Sequence, residues 1–170
     1  MIVMANSVED VQKSVLFANR YDLLVTVHSS GHDYNGRSTA DGSLMIDLSS
    51  MKEISINLQS KRHEAGEVTV ESGNSWLKIY EKVQSVDRVV VGGSSHTVSP
   101  GGYTLGGGHS PISRSFGLAA DQVLETKHLE LFVIKALMVK SKTTKQVGLG
   151  LGGYYIAVKS EQFYRLKTKI

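Results

Sequence analysis

Apolar positions change period several times along the first 125 residues, and each change marks an element. Val8, Val11, Val15 and Ala18 recur at helical spacing, with Asn6 or Ser7 placed to cap and Glu9 or Asp10 in the first turn. The pattern predicts a helix ending near Asn19 and Arg20. Leu23 to Val27 is a short apolar run between polar residues, a buried strand, and Leu44 to Leu48 is a second. Between them Ser29 to Gly36 is turn chemistry throughout. Ile54, Ile56 and Leu58 alternate with polar residues as a half-exposed strand does, and Val68-Thr69-Val70 repeats the pattern after the polar turn Gln59 to Gly66. Asn74 or Ser75 then opens a helix with Leu77, Tyr80 and Val83 on one face, followed by a dense apolar strand, Val89-Val90-Val91. Helices and strands alternate, which points to a mixed α and β domain.

The next stretch breaks the pattern. Gly92, Gly93, Gly101, Gly102, Gly106, Gly107 and Gly108 fall within 17 residues. Consecutive glycines bury no side chain and lose the most backbone entropy on folding. Packing alone would need several close turns in succession, whereas a ligand approached closely by backbone accounts for them with one cause.

Composition narrows the field. A chain of 170 residues with 41% hydrophobic content has enough material for one globular core. With no cysteine, disulfides, thiolate metal sites and cysteine nucleophiles are excluded. The first residues carry no basic stretch before a long apolar run, and no segment approaches the roughly 20 apolar residues that span a bilayer. The expectation is a soluble protein without signal peptide, membrane contact or metal, its compartment open. Net charge is +3, and eight Lys/Arg lie beyond Leu131 against Glu161 alone. That tail lacks the interleaved aromatics of stacking proteins and reads as a solvated face, not a nucleic-acid footprint.

Three blocks carry a resemblance: Ser29-Ser30-Gly31-His32-Asp33-Tyr34 with Gly36; Gly101-Gly102-Tyr103-Thr104-Leu105-Gly106-Gly107-Gly108; and Arg114-Ser115-Phe116-Gly117-Leu118-Ala119-Ala120-Asp121. In letters, order and spacing they resemble the FAD-binding (PCMH-type) domain of the vanillyl-alcohol-oxidase superfamily, in its berberine-bridge-like branch. The similarity runs from about Val3 to Glu125. It implies an α+β fold of two small sheets with flanking helices and an extended FAD between them. The first block would supply a nest of amides for the pyrophosphate. The residues implied at the cofactor are Ser29, Ser30, Gly31, His32, Asp33 and Gly36; then Ser95, His96 and Thr97 with Gly101, Gly102, Leu105, Gly106, Gly107 and Gly108; and last Gly117, Leu118 and Asp121.

In the family the histidine matching His32 bonds covalently to the 8α carbon of the flavin, which makes His32 the candidate attachment residue; an isolated loop histidine would merely hydrogen-bond backbone. A second attachment, through a cysteine, would fall at Ser95 and is impossible here. His96 and His109 sit at the edges of the glycine-rich loop, where a proton acceptor near the ring would matter, but read mainly as structural; Arg114 reads as an exposed helix-side arginine ahead of a balance for flavin or phosphate charge, and Asp121 as a turn or capping residue ahead of a base. No catalytic base is assigned, since in the family it comes largely from a second, substrate-binding domain.

Residues 126–147 depart from the family pattern. Gly148 to Val158 is again similar to a family glycine-rich turn and strand, with Phe163 to Leu166 as an outgoing β segment. Gly148, Gly150 and Gly153 also fit G-x-G-x-x-G, but a β-prone run follows where a Rossmann fold needs a helix. Residues 1–170 are thus expected to be one FAD-binding domain, truncated at the start and without a substrate domain. The resemblance implies the cofactor part of an FAD-linked oxidoreductase acting on an alcohol- or amine-bearing carbon of a small molecule. The alternative is a non-catalytic truncated remnant acting only as a flavin-binding or interaction module.

Overall fold

The computed structural model describes residues 1–127 and 133–140. The chain opens with a strand that the apolar pattern did not announce, β1 (Ile2–Met4). Helix α1 (Val8–Arg20), strand β2 (Val25–His28) and strand β3 (Leu44–Asp47) follow. These three strands form a parallel sheet in the order β1-β3-β2, with Val3 opposite Ile46 and Val27 opposite Ile46 on its other side. Three residues were too few to show a period, so β1 was missed. Helix α1 starts where the capping residues place it. The Ser7 hydroxyl accepts the Asp10 amide at 3.2 Å and the Asp10 carboxylate accepts the Ser7 amide at 3.1 Å, a reciprocal pair that satisfies two otherwise orphan donors. Ala5, Val11, Ile46, Leu48 and Met51 make the core between helix and sheet, with Val8, Val15 and Val25 around it.

Strands β4 (Ile54–Asn57) and β5 (Glu67–Glu71) begin a second unit, with helix α2 (Trp76–Gln84) and the short strand β6 (Arg88–Val89) after them. Helices α3 (Pro100–Leu105) and α4 (Ser113–Phe116) lead through a 3-10 turn at Ala119–Gln122 to β7 (Val123–Lys127), β8 (Val133–Leu137) and β9 (Val139–Lys140). The second sheet is antiparallel, in the order β4-β5-β8-β7, and β6 pairs with β9. The core of this unit is Val68, Val70, Trp76, Ile79, Val83, Val90 and Met138. The two units are joined where the Gly73 amide, just past β5, donates to the Met51 carbonyl of the first core. Two small sheets with flanking helices, as expected, and the two-stranded β6-β9 ladder make up the described fold.

Three expectations need correction. Leu23 to Val27 is not a buried strand: β2 starts at Val25 at the edge of its sheet, Thr26 is the buried residue in it, and Leu24 and Val27 are 60% and 42% exposed. The buried face of α2 is Trp76, Ile79 and Val83 with Tyr80 partly covered, while Leu77 is 38% exposed. Trp76 opens the helix, so the i, i+3, i+7 positions counted from it point inward and Leu77 turns out. Val90 and Val91 are buried, yet β6 stops at Val89. A run of apolar residues reports burial without reporting period, and here the chain is already turning into Gly92 and Gly93. Among the described residues no helix is long and apolar enough to cross a membrane. Gly148 to Val158, Phe163 to Leu166 and the basic tail past residue 140 lie outside the described residues.

Candidate functional site

His28 ends β2 and Asp47 ends β3, opposite each other in register. The turn from Ser29 to Gly36 therefore leaves the parallel sheet at the carboxyl ends of its strands, the edge where such sheets gather ligands. His28 Nδ1 lies 3.4 Å from Asp47 Oδ2. Burial acts to raise the Asp47 carboxyl, but Ser49 and His28 outweigh it and hold the group below its ordinary value. The His28 ring packs under Gly31, where an added Cβ would come 2.8 Å from Nε2 and the φ is +73°. Glycine at 31 is thus demanded by the protein itself. Among the described residues the Gly31 and His32 amides donate to no other residue and both are exposed, so the turn presents free donors to an anion.

This turn is locked to the second glycine-bearing segment. The Ser99 amide donates to Ser30 Oγ at 3.0 Å, and His32 Nε2 lies 2.9 Å from Thr97 Oγ1. Asp33 is committed locally: its carboxylate accepts the Arg37 amide at 2.7 Å and pairs with the Arg37 guanidinium, while its carbonyl accepts the Gly36 amide. The Arg37 side chain holds the Asp33 carboxyl below its ordinary range.

The Ser95–Thr97 stretch runs exposed over the start of α2. The Trp76 and Leu77 amides donate to the Val98 and His96 carbonyls at 3.0 and 3.2 Å, which explains why the Ser75 side chain makes no cap bond. Under this loop lies an aromatic group that sequence reasoning missed. The Trp76 ring stacks on Tyr80 at 5.7 Å and meets Tyr103 edge-on at 5.0 Å. The Tyr80 hydroxyl donates to the Gly93 carbonyl at 2.7 Å and the Tyr103 hydroxyl to that of His109. Burial, joined for Tyr80 by the charge of Tyr103, pushes both phenols above their ordinary value, so they remain donors.

The glycines do not share the single cause expected of them. A Cβ on Gly92 would lie 2.4 Å from the Trp76 ring, and one on Gly108 2.6 Å from both Ala119 and Tyr103, so these two are small because their neighbours are large. Gly101 and Gly102 sit in helix α3, not in a turn. Gly106 ends α3, and the carbonyls of Gly107 and Gly108 accept the Ala120 and Ala119 amides at 3.0 and 2.9 Å. Gly117 precedes Leu118, whose amide donates to Asp121 Oδ2 at 2.7 Å, which makes Asp121 a cap. Leu105 and Leu118 are exposed, as are the side chains of Arg114, His96 and His109. Gly102, in α3, is exposed with nothing within 4 Å of an added Cβ. A helix pays about 1 kcal/mol for glycine over alanine, and no internal contact offsets that here.

The anticipated residues therefore form two clusters. Ser30, His32 and Thr97 meet at the start of α3; Gly107, Gly108, Gly117, Leu118 and Asp121 gather past its end. They flank opposite ends of α3, whose six residues rise roughly 9 Å. Free amides at one end, an open glycine face between and a glycine turn at the other suit an elongated, anionic cofactor.

Comparison with known proteins agrees. The family described as FAD binding domain matches residues 1–130. An FAD-linked oxidoreductase, patO, of Aspergillus clavatus is 40% identical over 125 residues, 72% of this chain and 22% of that protein. A VAO-type flavoprotein oxidase of Thermothelomyces thermophilus is 34% identical over 127 residues, 73% of this chain and 22% of the relative. The crystal structure of a VAO-type flavoprotein from Myceliophthora thermophila superposes with a TM-score of 0.76 at 27% identity, over 82% of this chain and 31% of that one. Berberine bridge enzyme bound to (S)-reticuline shares the fold, with a TM-score of 0.74 at 23% identity over 82% of this chain and 33% of its own. The chain spans about a fifth of the length of the curated relatives it matches.

Proposed function

Because this chain belongs to the FAD binding domain family, we propose that it is the cofactor-holding part of an FAD-linked oxidoreductase acting on an alcohol- or amine-bearing carbon of a small molecule, with its FAD attached through His32. The family assignment makes FAD the cofactor; residue roles and reaction are the proposal. Bound FAD supplies two-electron chemistry, accepting a hydride from such a carbon and passing the electrons to dioxygen or another acceptor. The chain binds, orients and electrostatically supports the cofactor.

One observation carries this reading. Ser30 with Ser99, and His32 with Thr97, join segments 69 and 65 residues apart beyond the carboxyl ends of the parallel strands. That contact brings the turn with its free amides and the His32 imidazole to the start of α3. In this arrangement the Gly31 and His32 amides receive the pyrophosphate, Gly102 lets the cofactor lie against the helix, and the Gly107-Gly108 turn with Leu118 closes the far end. Asp33 and Arg37 hold the turn in shape, and Gly36 completes it.

His32→Ala tests the attachment. In the unaltered protein flavin absorbance should stay with the polypeptide after acid precipitation, and in the variant it should be released to the supernatant. Yellow colour retained by the precipitated variant would remove His32 from this role.

A further inference from the structure

The two nitrogens of the His32 ring are not equivalent, because Nε2 lies 2.9 Å from Thr97 Oγ1. A neutral imidazole attacks through its unprotonated nitrogen, and the hydrogen bond made by one nitrogen fixes the protonation of the other. If the Thr97 hydroxyl donates, Nδ1 carries the proton and has no free lone pair. If Nε2–H donates to Thr97, Nδ1 is left as the nucleophile. A hydroxyl is able to do either, having one hydrogen and two lone pairs. Thr97 is exposed, so its own hydrogen is free to point to water while it accepts from the ring.

We propose that Thr97 is a positioning residue for flavin attachment: it accepts from Nε2–H of His32, aims Nδ1 at the flavin, and reverses the direction of its hydrogen bond once the link has formed. The proposal rests on the reading of His32 as the attachment residue. In the attachment step the Nδ1 lone pair bonds to the 8α carbon of FAD and one C–H bond of that methyl group breaks. The methyl proton and the Nε2 proton pass, with two electrons, to the isoalloxazine, and dioxygen removes both electrons and protons as hydrogen peroxide. Afterwards Nε2 has no proton and becomes an acceptor. The Thr97 hydroxyl then rotates to donate, so the same contact persists before and after the reaction. A side chain that only accepts or only donates holds one of the two states; a hydroxyl holds both.

The test compares the full chain with Thr97→Val, Thr97→Ser and His32→Ala. Each is incubated with FAD over a concentration series, and protein-linked flavin fluorescence is followed on denaturing gels. At saturating FAD the valine variant should attach flavin roughly tenfold to a hundredfold more slowly, the range carried by partners that orient metal-bound imidazoles. The FAD concentration for half-saturation should move far less, and serine should restore the rate, an outcome that a merely structural role would not give. Attachment at the original rate in Thr97→Val, with none in His32→Ala, overturns the Thr97 role and leaves His32 standing. Attachment that persists in His32→Ala, or is absent from the unaltered chain, overturns the His32 reading and this inference with it.

Discussion

Asp33 accepts three kinds of hydrogen bond within five residues, from the Arg37 amide, the Arg37 guanidinium and, through its carbonyl, the Gly36 amide. Its part in cofactor binding is therefore to keep the Ser29–Gly36 turn in shape. The carboxyl is depressed chiefly by the Arg37 hydrogen bond, which fixes a sign. A group whose folded value lies below its unfolded value of about 3.9 stabilises the fold above that pH and ceases to do so as pH falls through the folded value. Asp33→Asn should thus lower the urea midpoint by a constant amount from pH 7 down to about pH 5, and the gap to the unaltered protein should close below about pH 4. A gap that widens on acidification would show that the Arg37 pair does not hold this turn. At this scale the motif letters located the turn, Gly31 and His32, because the resemblance is local. The His32 and Thr97 contact was not legible, since nothing in a linear pattern pairs residues 65 apart.

At the scale of elements, α1 shows what a sequence states in full. Ser7 and Asp10 announce the start, and Val11 and Ala18 fall on the buried stripe. Ser7→Ala should lower stability by about 1 kcal/mol in urea unfolding, as loss of a serine cap does elsewhere. No change would mean that the Asp10 carboxylate alone serves the helix end. Helix α2 was legible in extent but not in facing, because its N-terminal amides are satisfied by the distant Val98 and His96 carbonyls and its inward stripe starts from Trp76. The glycine-rich stretch was the hardest to read. Gly92 answers to Trp76 and Gly108 to Tyr103 and Ala119, so what looked like one ligand-driven feature divides into aromatic packing, turns and a short helix. Composition gives the same letter for all three causes.

Across the whole molecule, the two units join where the Gly73 amide donates to the Met51 carbonyl, and α3 runs between the two clusters of anticipated residues. The central claim is that FAD lies along this helix, from the amides near His32 to the Gly107-Gly108 turn. Gly102 tests it most directly because apo stability and cofactor binding should move in opposite directions there. Gly102→Ala adds a methyl group to an exposed helix position with nothing within 4 Å, and should stabilise the apoprotein by up to about 1 kcal/mol. If the cofactor backbone rests on that face, the same methyl group should weaken FAD binding in an equilibrium titration. A higher melting temperature with weaker FAD binding is the expected result; a higher melting temperature with unaltered FAD affinity would place the cofactor elsewhere.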